Sequence, residues 1–128
     1  VGHRVITGAA EARQVIAQRL GTALGPSVAV FPQPPETVTA PGVVVAPGSP
    51  YRSPSTYCQY ELRLRIVAFV QRASPDAMDL LDEMMDVIVA CVRGIEWLTW
   101  TNVADIGTTQ EVGSVEYLTA SIDLIAYI

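Results

Sequence analysis

The chain has 128 residues, half of them apolar, a net charge of −5, and basic residues that are all arginine. That is enough apolar side chain for one domain with its own core, so neither a disulfide framework nor a structural metal is needed to hold it. The acidic balance argues against gripping nucleic acid by bulk charge, and no apolar run reaches membrane-span length or forms a signal-peptide core behind Arg4.

Residues 9–24 are predicted as a helix. Ala10, Val15, Ile16, Leu20, Ala23 and Leu24 fall near one stripe, with Glu11, Arg13, Gln14, Gln18 and Arg19 outside it. Thr7 is placed to cap its start, and Gly25-Pro26 to stop it. Val28, Val30 and Phe31 then favour a short strand over residues 27–31.

Residues 32–55 hold most of the nine prolines, among them Pro34-Pro35, Pro41, Pro47 and Pro50. Proline fixes φ and removes a backbone donor, so this stretch is predicted as a long stiffened loop. Val43-Val44-Val45-Ala46 is the short strand inside it, and Tyr51 needs something to pack on.

Residues 56–72 carry the clearest alternation. Cys58, Tyr60, Leu62, Leu64, Ile66, Ala68 and Val70 form one apolar row, while the other row is polar through Glu61, Arg63 and Arg65 and turns apolar at Val67 and Phe69. A long strand results, with one face on the core and its far end covered on both sides. Ser74-Pro75-Asp76 then signals a helix over residues 75–93, with Ser as cap and Gly94 as stop. Met78, Leu81, Met85, Ile88 and Val92 form its apolar stripe, flanked by Leu80, Met84, Val87 and Cys91; Asp79, Asp82, Glu83 and Asp86 occupy the opposite face.

Residues 97–128 supply the C-terminal strands: one from Trp97 to about Val103, a turn-rich stretch around Gly107 and Gly113, and an alternating last strand over residues 115–128. The sum is a single α+β domain over residues 1–128. It has a mostly antiparallel sheet, two main helices packed on it, and a long Pro-rich loop between its early strands.

A search for chemistry yields little. The one histidine, His3, lies near a terminus, and no P-loop, GxGxxG turn, HExxH or EF-hand pattern is present. Cys58 and Cys91 lack metal-ligand or CxxC spacing and read as buried free thiols of a protein made in a reducing cytoplasm. No catalytic residue, cofactor or metal is therefore expected. The acids Asp79, Asp82, Glu83 and Asp86 share a helix face and read as solvated rather than as a cation site.

Seven of the eight arginines precede Asp76, and ten of the thirteen acids lie from Asp76 onward. That asymmetry fits either head-to-tail contact between copies or merely an acidic, solvated helix face. Glu61, Arg63 and Arg65 share one strand row, open to local pairing or to a salt bridge with a neighbouring copy's acidic helix. Trp97 and Trp100, three apart in a strand, point to opposite faces, and one of them is a candidate interface anchor.

In combination these features resemble the tail terminator and tail-completion (neck) proteins of long-tailed bacteriophages. The resemblance rests on the helix closing at Leu24-Gly25-Pro26 and on the loop Val43-Val44-Val45-Ala46-Pro47-Gly48-Ser49-Pro50-Tyr51. It rests also on the long strand followed at once by an acidic helix, and on the C-terminal portion from Trp97 through Glu116-Tyr117-Leu118-Thr119-Ala120. It covers nearly the whole chain, though no single motif is specific. It implies a non-enzymatic virion subunit, assembled in the host cytoplasm, forming a ring, usually a hexamer, at the head-proximal end of the tail tube. Its partners would be further copies, the tail tube protein and the head–tail connector or stopper, with DNA passing through unread and no membrane involved. Tyr51 and Trp100 join the charged residues above as candidate contacts. A head–tail stopper is the near alternative, and a monomeric adaptor presenting the Pro-rich loop the distant one.

Overall fold

A computed structural model describes residues 8–33, 35, 40–54, 60–73, 75–112 and 115–128, with residue 49 and residues 101–112 described by backbone alone. The elements run α1 (Ala9–Leu24), β1 (Ala29–Phe31), β2 (Gly42–Pro54), β3 (Tyr60–Gln71), α2 (Ala77–Arg93), β4 (Leu98–Val112) and β5 (Val115–Tyr127). The fold is α+β. One five-stranded sheet has the order β1-β2-β3-β5-β4, with β1 parallel to β2 and every other pair antiparallel. Because β5 pairs antiparallel with both β3 and β4, those two strands run parallel, and α2 is the crossover that joins them.

The centre of the sheet is the β3–β5 ladder, unbroken from Glu61 opposite Tyr127 to Gln71 opposite Tyr117. Its alternation decides the layering. Leu62, Leu64, Ile66, Ala68 and Val70 of β3, and Ala120, Ile122, Leu124 and Ala126 of β5, are buried in one continuous core with Val43 and Val45 of β2. Both helices cover that face, α1 over β1 and β2, and α2 over β3, β4 and β5, with the helices touching each other. Burying a side chain of the size of Ile66 or Leu124 stabilises the domain by roughly 1.5–3 kcal/mol.

The helix ends and stripes differ in detail from the sequence reading. In α1 the buried residues are Ala9, Ala12, Ile16, Ala17 and Leu20, while Ala10 and Ala23 are exposed. Small alanines let the helix lie close to the sheet on the row that includes Ile16 and Leu20, and this outweighs the row chosen by apolar content. The N-cap is Gly8, without a side-chain hydrogen bond, and Thr7 lies outside the described residues. Gly25 ends α1 at φ +85° and ψ 176°, a region essentially restricted to glycine, and its N–H donates to the Gly21 carbonyl.

In α2 the N-cap is Asp76, so Pro75 stands before the helix rather than in its first turn; Ser74 lies outside the described residues. Leu81, Met84, Met85, Ile88 and Val92 are buried, and Met78, expected on the stripe, is 43% exposed at the first turn. Gly94 follows the last helical residue, as the stop signal predicts.

Two stretches read as loop or turn are strand. Residues 42–54 of the Pro-rich segment form β2, although residues 34, 36–39 and 55 lie outside the description. The prolines are tolerated because β1 pairs only with Gly42, Val43 and Val44, which leaves the rest of β2 on the sheet edge. Between Pro47 opposite Leu64 and Arg52 opposite Leu62 the register also slips, so residues 48–51 bulge opposite Arg63. Likewise β4 runs through Gly107, absorbing it in a shift between Ala104 and Thr108 after a first shift between Trp100 and Asn102. Bulges add twist and disturb an edge that would otherwise be a template for stray pairing.

Candidate functional site

The sheet's second face is not uniform. Toward one end Phe69, Tyr117, Thr119 and Ser121 are buried, and the Phe69 and Tyr117 rings meet edge to face at 5.8 Å. The expectation that the far end of the long strand is covered on both sides therefore holds. Toward the other end lie Glu61, Arg63 and Arg65 on β3, facing Tyr127, Ile125 and Asp123 on β5. Here Arg65 and Tyr127 are exposed, and Glu61, Arg63, Asp123 and Ile125 are half-buried.

Arg65 and Asp123 stand directly opposite across the ladder, and the Arg65 Nε donates to Asp123 Oδ1 at 2.9 Å. The pair is partly exposed, and such pairs contribute about 0–1 kcal/mol. Local pairing thus describes Arg65. It does not describe Arg63, whose Nε is buried with no hydrogen-bond partner. A buried donor left unsatisfied costs about 1–3 kcal/mol, and more when it is charged.

The β2 bulge creates this situation. A Cβ on Gly48 would stand 3.0 Å from the Arg63 carbonyl carbon and Cβ, so only glycine lets β2 lie this close over β3. The result is a groove of about 380 Å³ walled by Pro47 and Gly48 on one side and Asp123 and Ile125 on the other, with Arg63 and Arg65 in its floor. With Arg65 paired to Asp123, the groove lining holds one more cation than anion, Arg63.

The other candidate residues lie elsewhere. Asp79, Asp82, Glu83 and Asp86 are all exposed on the side of α2 turned away from the sheet. Among the described residues no group of three or more His, Cys, Asp or Glu is placed to hold a metal ion. Tyr51 is half-buried against the core, and the Arg52 guanidinium lies 5.7 Å from its ring centroid and 5.0 Å from that of Tyr60. Trp97 precedes β4 and packs against the core. Trp100, 36% exposed, sits opposite Leu124 and so belongs by register to the helix-side row on the sheet edge. The two tryptophans are therefore not on opposite faces of one strand, because Trp97 is not in it. Cys91 is a half-buried free thiol whose pKa burial pushes up, opposed by the nearby Arg19 charge; Cys58 lies outside the described residues.

No protein-family model and no curated protein matches this chain. Its described helices include none long and apolar enough to cross a membrane. The groove's walls, Pro47, Gly48, Asp123 and Ile125, are not among the candidate contacts read from the sequence. Asp123 stands in the polar row of the last strand, so a correct β3–β5 register would have paired it with Arg65. Gly48 had no such signal, because its role depends on a bulge whose position the prolines only suggest.

Proposed function

We propose that the chain is a structural subunit of a phage virion, a tail terminator that forms a ring at the head-proximal end of the tail tube and joins it to the head connector. The observation that supports this best is the half of the sheet's second face left exposed, bearing Arg65, Tyr127 and the groove over Arg63. A two-layer domain with such a face, and with long β2 and β4 edges outside its central ladder, is suited to being covered by neighbouring chains. The resemblance of the element order to terminator and neck proteins supplies the particular role. In this reading the protein performs no catalysis, and DNA passes the ring without being held, as a net charge of −5 favours.

Pro47, Pro50 and Pro54 fall within β2, which weighs against an adaptor that presents the whole Pro-rich segment as a polyproline ligand; of the pair Pro34-Pro35 on which that alternative centres, Pro34 lies outside the described residues. The test is to add the purified chain to polymerising tail tube protein and measure tube lengths by electron microscopy. Tubes that stop growing and carry a ring at one end are expected. An unchanged length distribution overturns the terminator reading.

A further inference from the structure

We infer that the groove over Arg63 is the receiving half of a contact between copies of this chain, and that its occupant is the acidic outer face of α2 from the next copy. The inference rests on the ring reading above and names the surfaces that would build the ring.

Two observations on opposite sides of the molecule lead to it. On the open sheet face, Arg63 lies under the β2 bulge with its Nε buried and unpartnered, while Arg65 beside it is matched by Asp123. The groove lining thus offers one carboxylate, Asp123, to two guanidiniums, and a guanidinium is matched in shape and charge by a carboxylate. On the helix layer, Asp79, Asp82, Glu83 and Asp86 are exposed at mutual spacings of three and four, where like charges repel along a helix. None of the four has an ion pair with a described residue. A cation from outside would relieve that repulsion.

The placement of the two surfaces decides the symmetry. The helices cover one face of the sheet and the groove opens on the other, so a rigid domain cannot offer both to the same partner. The contact is therefore head-to-tail. Each copy gives its helix to one neighbour and its groove to another, a series that closes into a ring where the rotation between copies allows it and otherwise runs on as a filament.

Charge reversal tests this directly. Sedimentation of the intact chain over a range of concentrations is expected to show self-association that weakens as salt is raised. Arg63→Glu alone, and Asp82→Arg with Glu83→Arg alone, should each weaken association at least about tenfold. Mixing the two variants should restore it, because each reversed surface then meets its complement on the other chain. The α2 substitutions lie on an exposed face, so their effect stands even if Arg63→Glu perturbs folding. A wild-type chain that stays monomeric throughout, an Arg63→Glu chain that associates like wild type, or variants not restored by mixing would each overturn the contact. Association that behaves as expected alongside unchanged tube lengths would sink the terminator role instead and leave this contact standing.

Discussion

On the helix side of β3 the residues from Leu62 to Val70 are buried at every second position. On the opposite side burial begins only at Phe69, and the row toward Glu61 stays partly or fully open. The same strand thus has one face whose energetics are set by packing alone and another that changes character along its length. The difference shows how a small domain reserves surface for something else: hydrophobic stability is concentrated on one face and at one end of the other, and the charged end contributes little to folding.

Substitutions along β3 and its neighbours can break or sharpen that comparison. The largest effect is expected for Phe69→Ala, about 3–5 kcal/mol of unfolding free energy in urea, matching the about 2–5 kcal/mol expected for Ile66→Ala on the helix side. If Phe69→Ala cost under about 1 kcal/mol, the second face would be open along its whole length in solution. Gly48→Ala should come next. Its new Cβ meets the Arg63 backbone, which must give way or push the β2 bulge off the sheet, at about 1–3 kcal/mol. A neutral Gly48→Ala would mean that the groove is looser than described.

Cys91 gives a smaller, pH-dependent effect. Its folded pKa lies above the ordinary 9.0, chiefly through burial, so the folded state holds its proton where the unfolded state loses it. The stability contributed by the neutral thiol is fully present below pH 9 and is lost as pH rises through the folded pKa. Paired urea titrations of wild type and Cys91→Ala should therefore show the wild-type advantage shrinking above pH 9, and a flat difference would contradict the burial of this thiol. The smallest effect belongs to Arg65→Ala, below about 1 kcal/mol, because its pair with Asp123 is part-exposed. A larger loss there would show that the charged end of the open face helps to hold the fold after all.

Periodicity alone made the fold class and most element positions legible. Helices at 9–24 and 75–93 and the alternating strands stood out because their apolar spacing is long and regular. The apolar rows of β3 and β5 were readable for the same reason. What misled the reading was punctuation. Prolines at 47, 50 and 54 argued for a loop, and Gly107 for a turn, yet both stretches are strands at the sheet's edges. An edge strand needs only one side of its backbone paired, and a bulge absorbs residues that fit no ladder, so these residue types weigh less there than in a central strand. Among the candidate site residues, Arg63 and Arg65 share a row as expected, but their different fates depend on what stands across from each: Asp123 for one, Ile125 and the Gly48 bulge for the other.

The amino-acid order by itself determined the number of helices, the two-faced character of the central strands and the separation of arginines from acids, since each is a property of neighbours a few residues apart. Only the tertiary structure decided that β5 lies between β3 and β4, that Arg65 pairs with Asp123 while the Arg63 Nε is buried without a hydrogen-bond partner, and that the acidic helix and the arginine groove open on opposite sides. Those facts join residues far apart in the chain, such as Gly48, Arg63 and Asp123, and local propensity carries no information about which distant segments the burial of a shared core will bring together.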